Sequence, residues 1–200
     1  SSQDKQKTID NMLDCLRALE DQVRKGNIRH FGLSNESAWG TAQWLRLSEE
    51  NALPRVQTIQ NEYSLLCRLY DTDLAELSVN EEVGLLAFSP LAAGLLTGKY
   101  QNKKVPAGSR KSLVPELSGR VTDRVWPAVD KYIEIGKKFQ IDPVHLSIAW
   151  CLTRPFMCSV IIGATNTEQL SHILASKNVE ITQECLDDIN NAHREVPMPF

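Results

Sequence analysis

GLLAFSPLAAGLLTGK, residues 84–99, is the stretch from which the rest of the chain is read. Its first five residues, Gly84-Leu85-Leu86-Ala87-Phe88, form a short apolar run that predicts a strand buried on both faces. The next six, Ser89-Pro90-Leu91-Ala92-Ala93-Gly94, are mostly small and let backbone N–H groups approach a ligand closely. Cations follow at Lys99, Lys103, Lys104, Arg110 and Lys111, although the chain as a whole carries a net charge of −3. A strand that opens into such a loop, with cations behind it, is a cradle for phosphate groups and points to a nucleotide.

On either side, helical and strand-like patterns alternate. Ile9, Met12, Leu13, Leu16, Leu19 and Val23 recur at helical spacing, with Gly26 placed to stop the helix. Ile28 to Leu33 reads as a strand ending at Ser34-Asn35, and Ser37 as the N-cap of a helix to about Glu50. Val56 to Gln60 reads as a second strand. Asp71 or Thr72 opens a helix to Glu82, before the third strand at 84–88. A long connection, 89–121, follows; connections of this length inside a domain are usually functional. Val125, Val129, Tyr132 and Ile133 mark a helix. Asp142-Pro143 starts another, with Asp as N-cap and Pro at the first helical position, running to about Thr153. Ser159 to Ile162 is the fourth strand, ending at Gly163. Asn166 with Gln169 three residues on predicts a capped helix start, and Thr182 opens a last helix to about His193. The alternation implies one α/β domain over residues 1–200 with a parallel sheet.

Composition excludes several classes. The mildly acidic balance speaks against a nucleic-acid binder. No apolar run is long enough to span a bilayer; Gly84 to Leu96 is broken by Ser89, Pro90 and Gly94. Residues 1–7 are polar with no apolar segment behind them, so no signal peptide is read. Five scattered cysteines without a C-x-x-C pair suit a reducing cytoplasm, with Cys15 and Cys151 expected as small core residues. His30, His145, His172 and His193 show no metal-ligand spacing, so no metal site is expected. Nucleotide and hydrolase motifs such as G-x-G-x-x-G, the P-loop, G-x-S-x-G and H-E-x-x-H are absent. Asp187-Asp188 reads as a solvated face, and the four tryptophans as core or interface aromatics.

Four segments, IRHFGLSNES, TIQNEYSLL, LLAFSPLAAGLLTGKY and SVIIGATNTEQL, stand in the order and spacing of the aldo-keto reductases. The chain resembles that family from about Thr8 to about His193, with most likeness to the branch of bacterial Tas-like members and potassium-channel beta subunits. The resemblance implies a parallel (β/α)8 TIM barrel, of which this chain would supply strands 5–8. A complete barrel takes about 250 residues and eight strands. It also implies NADP(H) as cofactor, a small-molecule carbonyl substrate, and a homo-oligomer or pairing with an N-terminal half. The family's catalytic Asp, Tyr, Lys and His lie on its first four strands. None has a counterpart here, so no catalytic residue is assigned; Tyr63 and Lys99 belong to other motifs. A non-catalytic NADP(H)-binding scaffold is the alternative.

The resemblance also implies a cofactor site. Ser34, Asn35 and Gln60 would hydrogen-bond the nicotinamide carboxamide, which both donates and accepts. Phe88 stands where an aromatic, usually Tyr, stacks on the nicotinamide ring. Ser89, Leu91 and Gly94 would meet the pyrophosphate through backbone N–H groups or close approach, and Lys99 and Arg110 match basic positions near the phosphates. Lys103, Lys104 and Lys111 read as solvated charges, and the 89–121 connection would fold over the cofactor as a clasp. Gly163, Thr165, Asn166 and Gln169 would bind the 2′-phosphate and adenine at a helix start. The chain departs from the family just beyond, where His172-Ile173 replaces a common Glu-Asn pair.

Overall fold

A computed structural model describes residues 4–200. The first helix, α1 (Lys5–Arg24), begins where the Asp4 carboxylate accepts the amides of Gln6 and Lys7, and it buries Met12 and Leu16. Cys15, expected in the core, is exposed; the buried stripe passes through its neighbour Leu16. Strand β1 (Gly32–Ser34) leads to α2 (Ala38–Glu50), whose N-cap Ser37 accepts the Gly40 amide at 3.0 Å. Then come β2 (Thr58–Glu62), α3 (Asp73–Asn80) and β3 (Gly84–Phe88). The connection after β3 contains the short helix α4 (Arg110–Leu113). It is followed by α5 (Val125–Phe139), α6 (Pro143–Leu152), β4 (Met157–Val160), α7 (Thr167–Ala175) and α8 (Gln183–Glu195).

The strands form one sheet in the order β1-β2-β3-β4, every neighbour parallel. Sequential order with helical crossovers is what successive βα units wound in one sense produce. Strand limits differ from the sequence pattern. Residues 28–31 are not strand, because pairing with β2 starts only at Gly32↔Thr58. β2 runs on to Glu62, so Gln60 lies within the strand and not at its end. β4 begins two residues early, and the Ile161 amide extends its ladder by donating to Ala87 at 2.8 Å.

Helices cover one face of the sheet. Ile59, Leu85 and Ala87 are fully buried beneath them, in a core with Leu45, Tyr63, Tyr70, Leu146 and Trp150. Tyr63 stacks on Trp150 with ring centroids 5.2 Å apart, and Phe156 meets it edge-on. The other face is not covered. Ser34, Gln60, Leu86 and Ser159 share one register row across it, and Leu86 is only half-buried. The expectation that 84–88 is buried on both faces is therefore corrected: alternation along β3 puts Leu85 and Ala87 inside and Gly84, Leu86 and Phe88 on the open face. Strands approach each other closely there. A Cβ at Gly32 would lie 2.3 Å from Thr58 Oγ1, and one at Gly84 would lie 2.5 Å from Cys158 Cβ.

Candidate functional site

All four parallel strands release their chains at one edge, and the predicted site residues gather along it. β1 ends at Ser34, and Asn35 turns out of the sheet with φ 53°. The Asn35 amide N–H donates to the Gln60 carbonyl at 3.0 Å, and its side-chain amide donates to Ser34 Oγ at 3.1 Å. Asn61 holds the turn, accepting the Glu36 amide at 3.2 Å and donating to the Glu36 carbonyl at 3.1 Å. Ser34, Asn35 and Gln60 are exposed, and Ser34 and Gln60 are direct partners in the ladder.

The segment after β3 is conformationally costly. Ser89, Ala92 and Ala93 adopt left-handed φ of 54°, 46° and 56°, followed by Gly94 at 93°. Non-glycine residues held there cost about 1–3 kcal/mol each, and such strain gathers at ligand-binding segments. Ala92 donates to the Ser89 carbonyl, and Gly94 and Leu96 donate to that of Leu91. The amides of Ser89 and Leu91 have no acceptor among the described residues. The Gly94 N–H is used within the turn, which leaves close approach as what this residue can offer. What its missing side chain permits is approach of Lys99: a Cβ at Gly94 would stand 3.1 Å from the Lys99 amine.

The 89–121 connection contains short helical turns at Ala92–Thr97, Gln101–Lys103 and α4. The Tyr100 ring organises its cations. Lys99 Nζ lies 5.1 Å from the ring centroid, and the Tyr100 hydroxyl accepts the Lys111 amide at 3.2 Å. Arg110, one residue before, is exposed. Lys111 is not merely solvated; its amine sits 4.4 Å over Trp126. Leu91, Val160 at the end of β4 and Ile162 just beyond it all pack against one apolar cluster of Val144 and Ile148 on α6 and Ile173 on α7, so the segments leaving β3 and β4 rest on the same two helices.

The β4 exit leads through exposed Gly163 to α7. Asn166 caps that helix, accepting the Gln169 amide at 2.8 Å, and Gln169 Oε1 accepts the Thr165 amide and hydroxyl at 3.1 and 3.0 Å. Thr165, Asn166 and Gln169 thus form one hydrogen-bonded unit. The acidic Glu168 stands in the same first turn.

Sequence reasoning missed a clamp beside this edge. Glu62, the last residue of β2, takes two bonds from the Arg120 guanidinium at 2.9 and 2.8 Å, which ties the end of the long connection to the strand end. A periodicity search sees neither partner, since they are 58 residues apart. The strongly perturbed ionisable groups lie elsewhere, in the core. Burial pushes the Tyr63 phenol far above its usual range, aided by the Asp71 carboxylate that its hydroxyl contacts at 2.6 Å. Burial raises the Cys67 thiol to about 11 and Tyr132 to about 12. Tyr63 is fully enclosed and its proton is committed to Asp71, which makes it a core residue.

The four strands thus form a parallel α/β sheet whose strand-end edge carries spare amides, a cation and the exposed amides of Asn35 and Gln60. The chain belongs to the aldo/keto reductase family, whose family model matches residues 3–194. It is 39% identical over 189 residues to Protein tas of Escherichia coli K12, covering 94% of this chain and 55% of that protein. It is 32% identical over 196 residues to a probable voltage-gated potassium channel subunit beta of Arabidopsis thaliana, covering 92% and 58%. It is 30% identical over 189 residues to L-glyceraldehyde 3-phosphate reductase of Escherichia coli O157:H7, covering 90% and 53%. The chain spans little more than half the length of these relatives. Among the described residues, no helix is long and apolar enough to cross a membrane.

Proposed function

We propose that this chain is the cofactor-binding half of an NADPH-dependent oxidoreductase that reduces aldehydes or ketones, its sheet being strands 5–8 of a (β/α)8 barrel. The observation that carries this reading is the pair of unpartnered amides at Ser89 and Leu91, with the Lys99 amine laid against Gly94 at the same edge. That donor set suits a pyrophosphate: fixed N–H groups and a cation, in a backbone already strained into place. Ser34, Asn35 and Gln60 would hold the carboxamide, Phe88 would support the nicotinamide ring, and Arg110 would add positive charge near the phosphates. Gly163, Thr165, Asn166 and Gln169 would receive the adenosine end. The bound nicotinamide would supply the reducing equivalent. This chain's residues orient it, and the proton for the carbonyl comes from residues outside these 200.

The uncovered sheet face supports the barrel reading. Parallel sheets are almost always covered on both faces, so the face bearing Leu86 and Phe88 calls for a cover, either an N-terminal half or a second copy. The likeness to a channel beta subunit favours a second reading, a scaffold that binds NADP(H) without turnover. A cytoplasmic setting accords with five free thiols.

The test is a titration of NADPH into the intact polypeptide that carries this chain, followed by nicotinamide fluorescence, with aldehyde reduction measured in parallel. Saturable binding with turnover supports the reductase, and binding without turnover the scaffold. Lys99→Met is expected to weaken binding about tenfold, or about 1.4 kcal/mol. Absence of binding by either nicotinamide dinucleotide would overturn both readings.

A further inference from the structure

Helices α6 and α7 meet through a polar cluster that the proposed cofactor site does not use. Asp142 is the N-cap of α6, and its Oδ1 accepts the amides of Val144 and His145 at 2.8 and 3.4 Å. His145 lies in the first turn of α6 and His172 in the last turn of α7. Their rings face each other with centroids 4.4 Å apart. One nitrogen from each ring and a carboxylate oxygen of Asp142 all lie within 4.8 Å of one another.

Hydrogen bonding sets which atoms are free. His145 Nε2 lies 2.8 Å from the His172 carbonyl oxygen. That carbonyl is in a last turn, where the Ser176 amide reaches Ile173 and Leu174 instead. A carbonyl only accepts, so Nε2 carries the proton and the lone pair of the neutral ring lies on Nδ1. A histidine whose second nitrogen donates to a backbone carbonyl is the usual arrangement around a bound metal, because it fixes the tautomer and the ring. His172 Nε2 stands 3.2 Å from Asp142 Oδ1. Two ligands of a tetrahedral ion with bonds of about 2.0–2.1 Å are separated by about 3.3 Å. The oxygen at that distance is the one that caps α6, and Asp142 Oδ2 has no donor among the described residues, so a cation met by Oδ1 can also be held by the second oxygen of the same carboxylate.

We propose that Asp142, His145 and His172 form a three-ligand site for a first-row transition-metal dication of the zinc class. His145 binds through Nδ1, His172 through Nε2 and Asp142 through a carboxylate oxygen, with solvent completing the shell. Two imidazoles and a carboxylate select such ions over calcium or magnesium, which prefer all-oxygen sites. The ion would pin the start of α6 to the end of α7. This inference does not depend on the proposed oxidoreductase activity.

The experiment is calorimetric titration of Zn2+ into the chelator-treated intact polypeptide, free of any polyhistidine tag, with Co2+ absorption as a second readout. The expected result is a saturable site that His172→Ala and His145→Ala each weaken by at least about tenfold. His172→Ala is the informative variant should His145→Ala disturb folding, since the His172 side chain is 46% exposed. The exposed thiols Cys15 and Cys158 are the competing ligands. Cys15→Ser/Cys158→Ser is expected to leave binding intact, and the Co2+ spectrum to lack thiolate charge transfer. Zn2+ binding that survives both histidine variants, or is lost in the cysteine variant, would overturn the proposal, as would no saturable binding at millimolar Zn2+.

Discussion

Removing the Glu62–Arg120 clamp tests whether the long connection is anchored on the strand-end edge. The two side chains are 23% and 11% exposed and meet through two parallel bonds of 2.9 and 2.8 Å. Arg120 also donates to the Leu117 carbonyl at 2.9 Å and lies 5.7 Å from the Phe200 ring centroid. Glu62→Gln retains shape but keeps one acceptor oxygen, so one charge-assisted bond is weakened and the other lost, an expected loss of about 1.5 kcal/mol. Arg120→Met leaves Glu62 half-buried without its cation and strands the Leu117 carbonyl, an expected loss of about 3 kcal/mol. The double variant should lose less than the sum, giving a coupling of about 1.5 kcal/mol. Urea unfolding of the intact polypeptide measures all four corners of the cycle, provided the slopes agree. Because Glu62 pairs with Phe88 and Arg120 closes the segment that begins at Ser89, the proposed NADPH binding should weaken about tenfold in Arg120→Met. A coupling below about 0.5 kcal/mol would place the pair among ordinary surface contacts and refute the anchoring.

Two further outcomes follow from local geometry. His193 on α8 has its pKa lowered from the ordinary 6.5, first by burial and then by the Arg68 charge, against the pull of Asp71. Just below that ordinary value the unfolded chain binds the extra proton and the folded chain does not, so stability rises with pH through the window. Acidification from about pH 7.5 to 5.5 should therefore destabilise the fold, and His193→Gln should flatten this part of the profile; an unchanged slope would show that His193 is not its source. Gly32→Ala should cost about 1–3 kcal/mol, because the new Cβ lies 2.8 Å from the Thr58 carbonyl oxygen as well as against its hydroxyl. Gly163→Ala meets nothing within 4 Å and should unfold within about 0.5 kcal/mol of the parent, so equal losses at both positions would contradict the strand-packing argument.

What the sequence makes legible is what local rules govern. Ser37, Asp142, Asn166 and Thr182 all accept the first-turn amides their positions demand. Alternating strands and helices give a parallel sheet in sequential order. Strand ends were less legible, because ladder partners rather than composition fix them; Gln60 lies inside β2 for this reason. Side-chain direction was harder still. Cys15 and Leu16 are adjacent apolar residues, and only helix rotation decides that one is exposed and the other buried. The Glu62–Arg120 clamp and the Asp142–His145–His172 cluster arise where distant segments converge, and no spacing along the chain encodes them.

The disagreement over residues 84–88 carries its own physical content. Leu86 and Phe88 are apolar at positions where a half-buried strand would normally alternate to polar residues, yet in this chain they face an uncovered side of the sheet. Across the same row, Ser34, Gln60 and Ser159 are polar. A face that is neither uniformly polar nor uniformly apolar suits the interior of a barrel, with apolar contacts packing its centre and polar groups turned to a ligand at the strand ends. Glycines at positions 32 and 84, where a Cβ would collide with the adjacent strand, fit the same geometry of strands crowded on an inner surface. Leu86 and Phe88 thus place apolar surface, half-buried, on the same open face that carries the polar row of Ser34, Gln60 and Ser159.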